Sequence, residues 1–267
     1  MIYFEHLPTR DLQPWILSLW YCRAPDVPHR RERVLPNGCM QIVMSLSRAH
    51  LTDCGEDGTI TRRLPRAIVV GVRARFEVID TADMEELVGV AFHPGGFARL
   101  FRERADLFFE QSVDLHDIGI APQIADRLSE ATTPAQKLSV LGQRLSDLIK
   151  RDTRRSELVD HAIHLFRNRA LTVSQCASSV GLSQRRLSQV FREEVGMAPK
   201  TWCRIGRFQA AVRALHRGVD VPWAELALRC GYYDQSHFAN DFRAFSGIDP
   251  TTYSAQRGRW QNHLPIA

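Results

Sequence analysis

Two clusters of side chains stand out for the chemistry they could do: Gln184, Arg185, Ser188 and Gln189, and further along Gln235, Ser236 and Asn240. At helical spacing each cluster falls along one face of a turn or two. Amides, a guanidinium and hydroxyls presented together match the donor and acceptor patterns of base edges in a DNA major groove, which admits a single α-helix. On one isolated helix such a face reads more readily as solvated surface. The difference here is that there are two.

The two clusters sit in two copies of one unit. Ala177 and Gly181 recur fifty positions later as Ala227 and Gly231. Leu187, Phe191, Gly196, Pro199 and Trp202 recur fifty-one positions later as Phe238, Phe242, Gly247, Pro250 and Tyr253. Each copy has helix-turn-helix grammar. Thr172 caps a helix over Val173–Val180 and Gly181 ends it; Ser183 caps the next, with Leu187, Val190, Phe191 and Val195 as its apolar stripe. In the second copy Pro222 opens a helix, Gly231 ends it, and Asp234 caps a helix whose Phe238, Phe242 and Phe245 are buried. Between the copies Pro199–Arg217 reads as one long helix. Its Arg204, Arg207 and Arg213 are candidates for phosphate contacts or for ion pairs within the domain.

Charge agrees with a polyanionic partner for this part. Residues 151–260 hold 17 Arg and Lys against 10 Asp and Glu, whereas residues 1–150 hold 18 against 20. The composition, 44% hydrophobic and 24% charged over 267 residues, is that of a globular chain large enough for two domains. No apolar run is long enough for a membrane span, and Met1–His6 has no basic-then-apolar secretion pattern, so a cytoplasmic location is expected. The six cysteines have no metal or redox spacing and read as reduced thiols. His29, His50, His93 and His116 are not clustered, and no catalytic motif is evident, so neither a metal, a cofactor nor an enzyme is expected. The alternative is a front domain acting as an enzyme or a cysteine-based sensor, with Cys22 or Cys39 as nucleophile.

Residues 1–92 read mainly as short strands, Trp15–Tyr21, Gln41–Leu46, Ala67–Val72, Phe76–Ile79 and Leu87–Phe92, with tight turns at Pro36-Asn37-Gly38 and Gly55-Glu56-Asp57-Gly58. Helices follow at Phe97–Arg102, Pro122–Ser129 and Pro134–Lys150. The last has an apolar stripe that is either a dimer contact or domain core. His93-Pro94-Gly95-Gly96 is either a pocket wall or a strand-to-helix turn.

The run Ala227-Leu228-Arg229-Cys230-Gly231-Tyr232-Tyr233-Asp234-Gln235-Ser236-His237-Phe238, continuing through Phe242-Arg243 to Gly247, Pro250 and Tyr253, resembles the signature of the AraC family of bacterial transcription regulators. The earlier copy resembles their first helix-turn-helix. Leu35–Cys39 and Val90–Phe97 resemble, less specifically, a front domain of some members. The resemblance implies two helix-turn-helix units on adjacent major-groove segments. Gln184, Arg185, Ser188 and Gln189 are then base-facing in the first reader and Gln235, Ser236 and Asn240 in the second.

The expected fold is α+β: a mainly β, barrel-like effector-binding or dimerisation domain with following helices over 1–150, a linker at 151–156, and an all-α DNA-binding domain over 157–257. The expected partners are promoter double-stranded DNA, a small-molecule effector, a second copy of the chain and, for an activator, RNA polymerase.

Overall fold

A computed structural model describes residues 2–119, 123–149, 157–169, 171–219 and 221–266. The expected linker, 151–156, lies outside them. The front part contains β1 (Ile2–His6), β2 (Ile16–Arg23), β3 (Arg31–Val34), β4 (Gln41–Ser45), β5 (His50–Cys54), β6 (Ile60–Pro65), β7 (Ala67–Val70), β8 (Glu77–Asp80) and β9 (Leu87–Phe92). Then come α1 (Gly96–Phe101), β10 (Ser112–Asp114), α2 (Gln123–Glu130) and α3 (Pro134–Ile149). The helical part has α4 (Glu157–Arg169), α5 (Val173–Ser179), α6 (Gln184–Val195), α7 (Pro199–His216), α8 (Trp223–Arg229), α9 (Gln235–Ser246) and α10 (Pro250–Gln256). A last strand, β11 (His263–Ile266), ends the described chain.

The strands form two antiparallel sheets, ordered β1-β2-β9-β4-β7-β10 and β11-β3-β8-β5-β6. Period-two alternation sorts the six-stranded sheet's side chains. Leu19 and Tyr21 of β2, Ile42 and Met44 of β4, and Val88, Val90 and Phe92 of β9 are buried on one face, under α1 and α3. The alternate positions, among them Trp20, Val43 and Ala91, line a cavity of about 580 Å³ between the two sheets. Gly89 lacks a side chain where the Trp20 ring crosses the sheet; a Cβ there would overlap the ring.

The apolar stripe of α3 packs inward: Leu138, Leu141 and Leu145 are buried, and Gly142 faces Leu19 of β2. This stripe therefore serves the core of the same chain. The segment His93–Gly96 is a strand-to-helix turn, with Gly95 at φ +82° and the His93 amide donating to Trp15 O at 2.9 Å. It is not among the residues lining the cavity.

The two parts share one connected core running from Leu12 to Leu264. Arg99 of α1, 6% exposed in its side chain, pairs with Asp160 of α4 at 3.1 Å and Glu194 of α6 at 2.8 Å. Gln209 of α7 donates to Pro36 O at 2.8 Å, at the turn the sequence marks with Asn37 and Gly38. The chain also returns on itself: β11 pairs along β3, Leu264 opposite Arg33, so the tail after the helices completes the front part's second sheet. No local sequence pattern announces that pairing.

Candidate nucleic-acid interface and the cavity beside it

The repeat seen in sequence is a repeat of contacts. Ser183 Oγ accepts the Arg186 amide at 3.2 Å, and Asp234, fifty-one positions on, accepts the His237 amide at 2.7 Å. Each cap satisfies an amide that a helix start leaves without a partner. Gly196 and Gly247 close α6 and α9 in the left-handed region, donating to Arg192 O and Arg243 O at 2.8 and 2.9 Å. Phe191 meets Trp202 edge-on at 5.8 Å and 69°, and Phe242 meets Tyr253 at 5.4 Å and 68°. Such pairs stabilise by roughly 0.5–1.5 kcal/mol beyond their buried area. α5 opens on a full capping box, Thr172 with Gln175.

With one stripe of each second helix fixed inward, the opposite face is set. Gln184, Arg185 and Gln189 are exposed on α6 and Ser188 is half-buried; Gln235, Ser236 and Asn240 are exposed on α9. Gln189 donates to Glu193 Oε1 at 3.0 Å. Arg192 and Arg243, again fifty-one apart and both exposed, extend each face by a further turn. Tyr233 is 86% exposed beside the Asp234 cap, a position the sequence did not single out because an aromatic next to a buried one, Tyr232, reads as core.

In the connecting helix, two of the three arginines make ion pairs within the domain. Arg204 forks onto Asp241 of α9, Nη2 to Oδ1 at 2.6 Å, and Arg207 stands 3.9 Å from the other oxygen. Asp241 is 5% exposed, so these guanidinium groups neutralise a buried carboxylate. Hydrogen bonding to Asp241 pushes the Arg204 guanidinium further up. Arg213 is exposed. The His237 ring packs edge-on to Tyr232 at 5.3 Å and lies 3.8 Å from Asp241.

No local sequence pattern marks the cavity in the front part, because its walls converge from eleven strands. Trp20, Val43, Leu51, Leu64, Met84 and Leu87 supply apolar surface, and the tail, Trp260–His263, supplies one wall. That wall is tied to the helices: Tyr253 Oη donates to Gln261 O at 2.9 Å and Gln209 Nε2 to Asn262 Oδ1 at 3.0 Å. Burial pushes the thiols of Cys22, Cys39 and Cys203 up to about 11 and also raises those of Cys54, Cys176 and Cys230. Thiols in that state are poor nucleophiles. Among the described residues, no cluster of His, Cys, Asp and Glu suits a metal ion, and no helix is long and apolar enough to cross a membrane.

A family model described as a helix-turn-helix domain matches residues 176–256, and one described as a domain of unknown function (DUF6597) matches residues 4–114. A probable transcriptional regulator, LumQ of Photobacterium leiognathi, is 24% identical over 53% of this chain, and the match spans 61% of that relative's length. Among solved structures, an AraC-type DNA-binding domain protein from Chromobacterium violaceum is 26% identical over 38% of this chain and 93% of its own (TM-score 0.33). The unsaturated fatty acid-bound ToxT of Vibrio cholerae is 11% identical over 93% of this chain and 96% of its own (TM-score 0.46).

Proposed function

We propose that this chain, whose C-terminal domain is a helix-turn-helix domain of the AraC type, is a sequence-specific transcription regulator that sets α6 and α9 into successive major-groove segments of promoter DNA. The observation that carries this is the duplicated capped helix, each copy with its apolar stripe locked inward and a polar face left to solvent. On this reading Gln184, Arg185, Ser188 and Gln189 contact bases in one segment and Gln235, Ser236 and Asn240 in the next. Residues 157–257 are the reading domain, residues 151–156 the linker, and residues 1–150 the sensing domain.

The cavity is the site for a small-molecule effector. Its tail wall hydrogen-bonds both α7 and α10, which gives an occupant a physical route to the DNA-reading helices. RNA polymerase is the further partner if the outcome is activation. A second copy of the chain would have to use a surface other than the α3 stripe, which is buried.

The test is binding of the purified protein to its own upstream region and to a shuffled duplex across a salt series. Tight binding to the native duplex, falling steeply with salt while the shuffled duplex stays weak, is the expected result. Equal affinity for both duplexes at every salt concentration overturns sequence-specific reading.

A further inference from the structure

The charged groups on the cavity wall are of one sign. Glu5, Asp53, Glu77, Asp80 and Asp83 line it with His263, and no Lys or Arg does. Three of the carboxylates are neutralised by guanidinium groups that are not part of the lining. Asp53 pairs with Arg62 at 2.7 Å, Glu77 with Arg73 at 2.6 Å and Asp80 with Arg31 at 2.7 Å. Asp83 differs. It is 7% exposed, its Oδ2 accepts the Thr52 amide at 2.6 Å, and no Arg or Lys among the described residues forms an ion pair with it.

A carboxylate so placed is costly to keep without a counter-charge. Burial pushes the Asp83 carboxyl above its ordinary value and Asp80 adds to it; the Thr52 hydrogen bonds and the more distant Arg48 charge, which forms no ion pair with it, work against that without cancelling it. Leu51, Leu64, Met84 and Leu87 line the same cavity and pack as one cluster, which would cover an apolar body, and the Trp20 and Trp260 rings also border it. Aromatic faces attract cations and offer nothing to an anion.

We propose that the cavity binds a small organic ammonium compound, an apolar body carrying one cationic amine, with Asp83 as the counter-charge. This rests on the reading of the cavity as the effector site. An anionic ligand would meet no lysine or arginine on the wall, and two carboxylates, Glu5 and Asp83, that have no ion pair among the described residues.

The test uses three probes with one body, 4-phenylbutylamine, 4-phenylbutanol and 4-phenylbutanoate, titrated calorimetrically into the full chain. The amine should bind about tenfold or more tighter than the alcohol, with the carboxylate weakest. Asp83→Asn should bring the amine down to the level of the alcohol, while unchanged alcohol binding by that variant shows its cavity intact. Tighter binding of the carboxylate than of the amine overturns the proposal and leaves an effector cavity of another class standing. Amine affinity unchanged in Asp83→Asn overturns Asp83 as the anchor. Binding of none of the three overturns the site altogether. Amine binding that leaves promoter affinity unaltered upholds the ligand class and sinks the effector reading instead.

Discussion

The arginines of the helical part look alike in sequence and divide by what they face. Arg185 is exposed on the α6 face, whereas Arg204 is forked onto the buried Asp241. The two should fail in different ways. Arg185→Ala should leave the unfolding midpoint in urea unchanged and cost roughly 1–3 kcal/mol of discrimination between the native promoter and single-base variants. Arg204→Ala should leave base preference intact and lower stability by about 2 kcal/mol, read in the same urea titrations, because Asp241 keeps only its longer contacts. Position and residue type suggested both roles for Arg204. Only the depth of Asp241, a helix away, decides between them, and no local pattern reveals that depth.

At the scale of elements, the helical part was readable because its signals are local. Thr172, Ser183 and Asp234 cap where their types and spacing suggest, Gly181, Gly196, Gly231 and Gly247 stand at positive φ, and the apolar stripes are buried. Strands β3 and β6 escaped notice for the opposite reason. Arg31–Val34 and Ile60–Pro65 are rich in arginine, which masks the alternation of a strand; β3 also finds its partners far along the chain, in β8 and β11, whereas β6 pairs with its neighbour β5 across the Gly55–Gly58 turn. The helix ends also carry a test. Gly181 (φ +70°) has open space where a Cβ would sit, whereas a Cβ on Gly196 (φ +95°) would come 2.6 Å from Val72 of the front part. Gly181→Ala should cost about 1–2 kcal/mol, the price of a left-handed alanine. Gly196→Ala should cost measurably more in urea denaturation, because Val72 has to move as well. Equal losses would mean that the front part yields freely at that contact.

Across the whole molecule, the front and helical parts act as one body, and Glu32 reports on their union. It accepts from or pairs with His29 at 2.6 Å on its own side and His263 of the tail at 2.9 Å. Burial alone would raise its carboxyl; the hydrogen bonds and charges of His263 and His29 outweigh that and hold it below the ordinary 4.5. The unfolded chain therefore binds this proton more readily than the folded one. The stabilisation is present above pH 4.5 and is lost as pH falls through the lowered value. The thermal midpoint should drop over that acid range, and Glu32→Gln should be less stable near neutrality with a shallower acid decline. An identical decline in the variant would place the acid sensitivity in other carboxylates.

The β11–β3 pairing joins residues 263–266 to residues 31–34, one of the longest spans the chain contains. A ribosome delivers the front strands first, and N-terminal domains generally fold as they emerge. Here they cannot finish. The β3 edge stays open to any passing strand until the helices have been made and the tail released, a window in which an unpaired edge invites association with a neighbouring nascent chain. Elongation pausing or a chaperone holding β3 would therefore affect the yield of this protein more than the stability of its finished state.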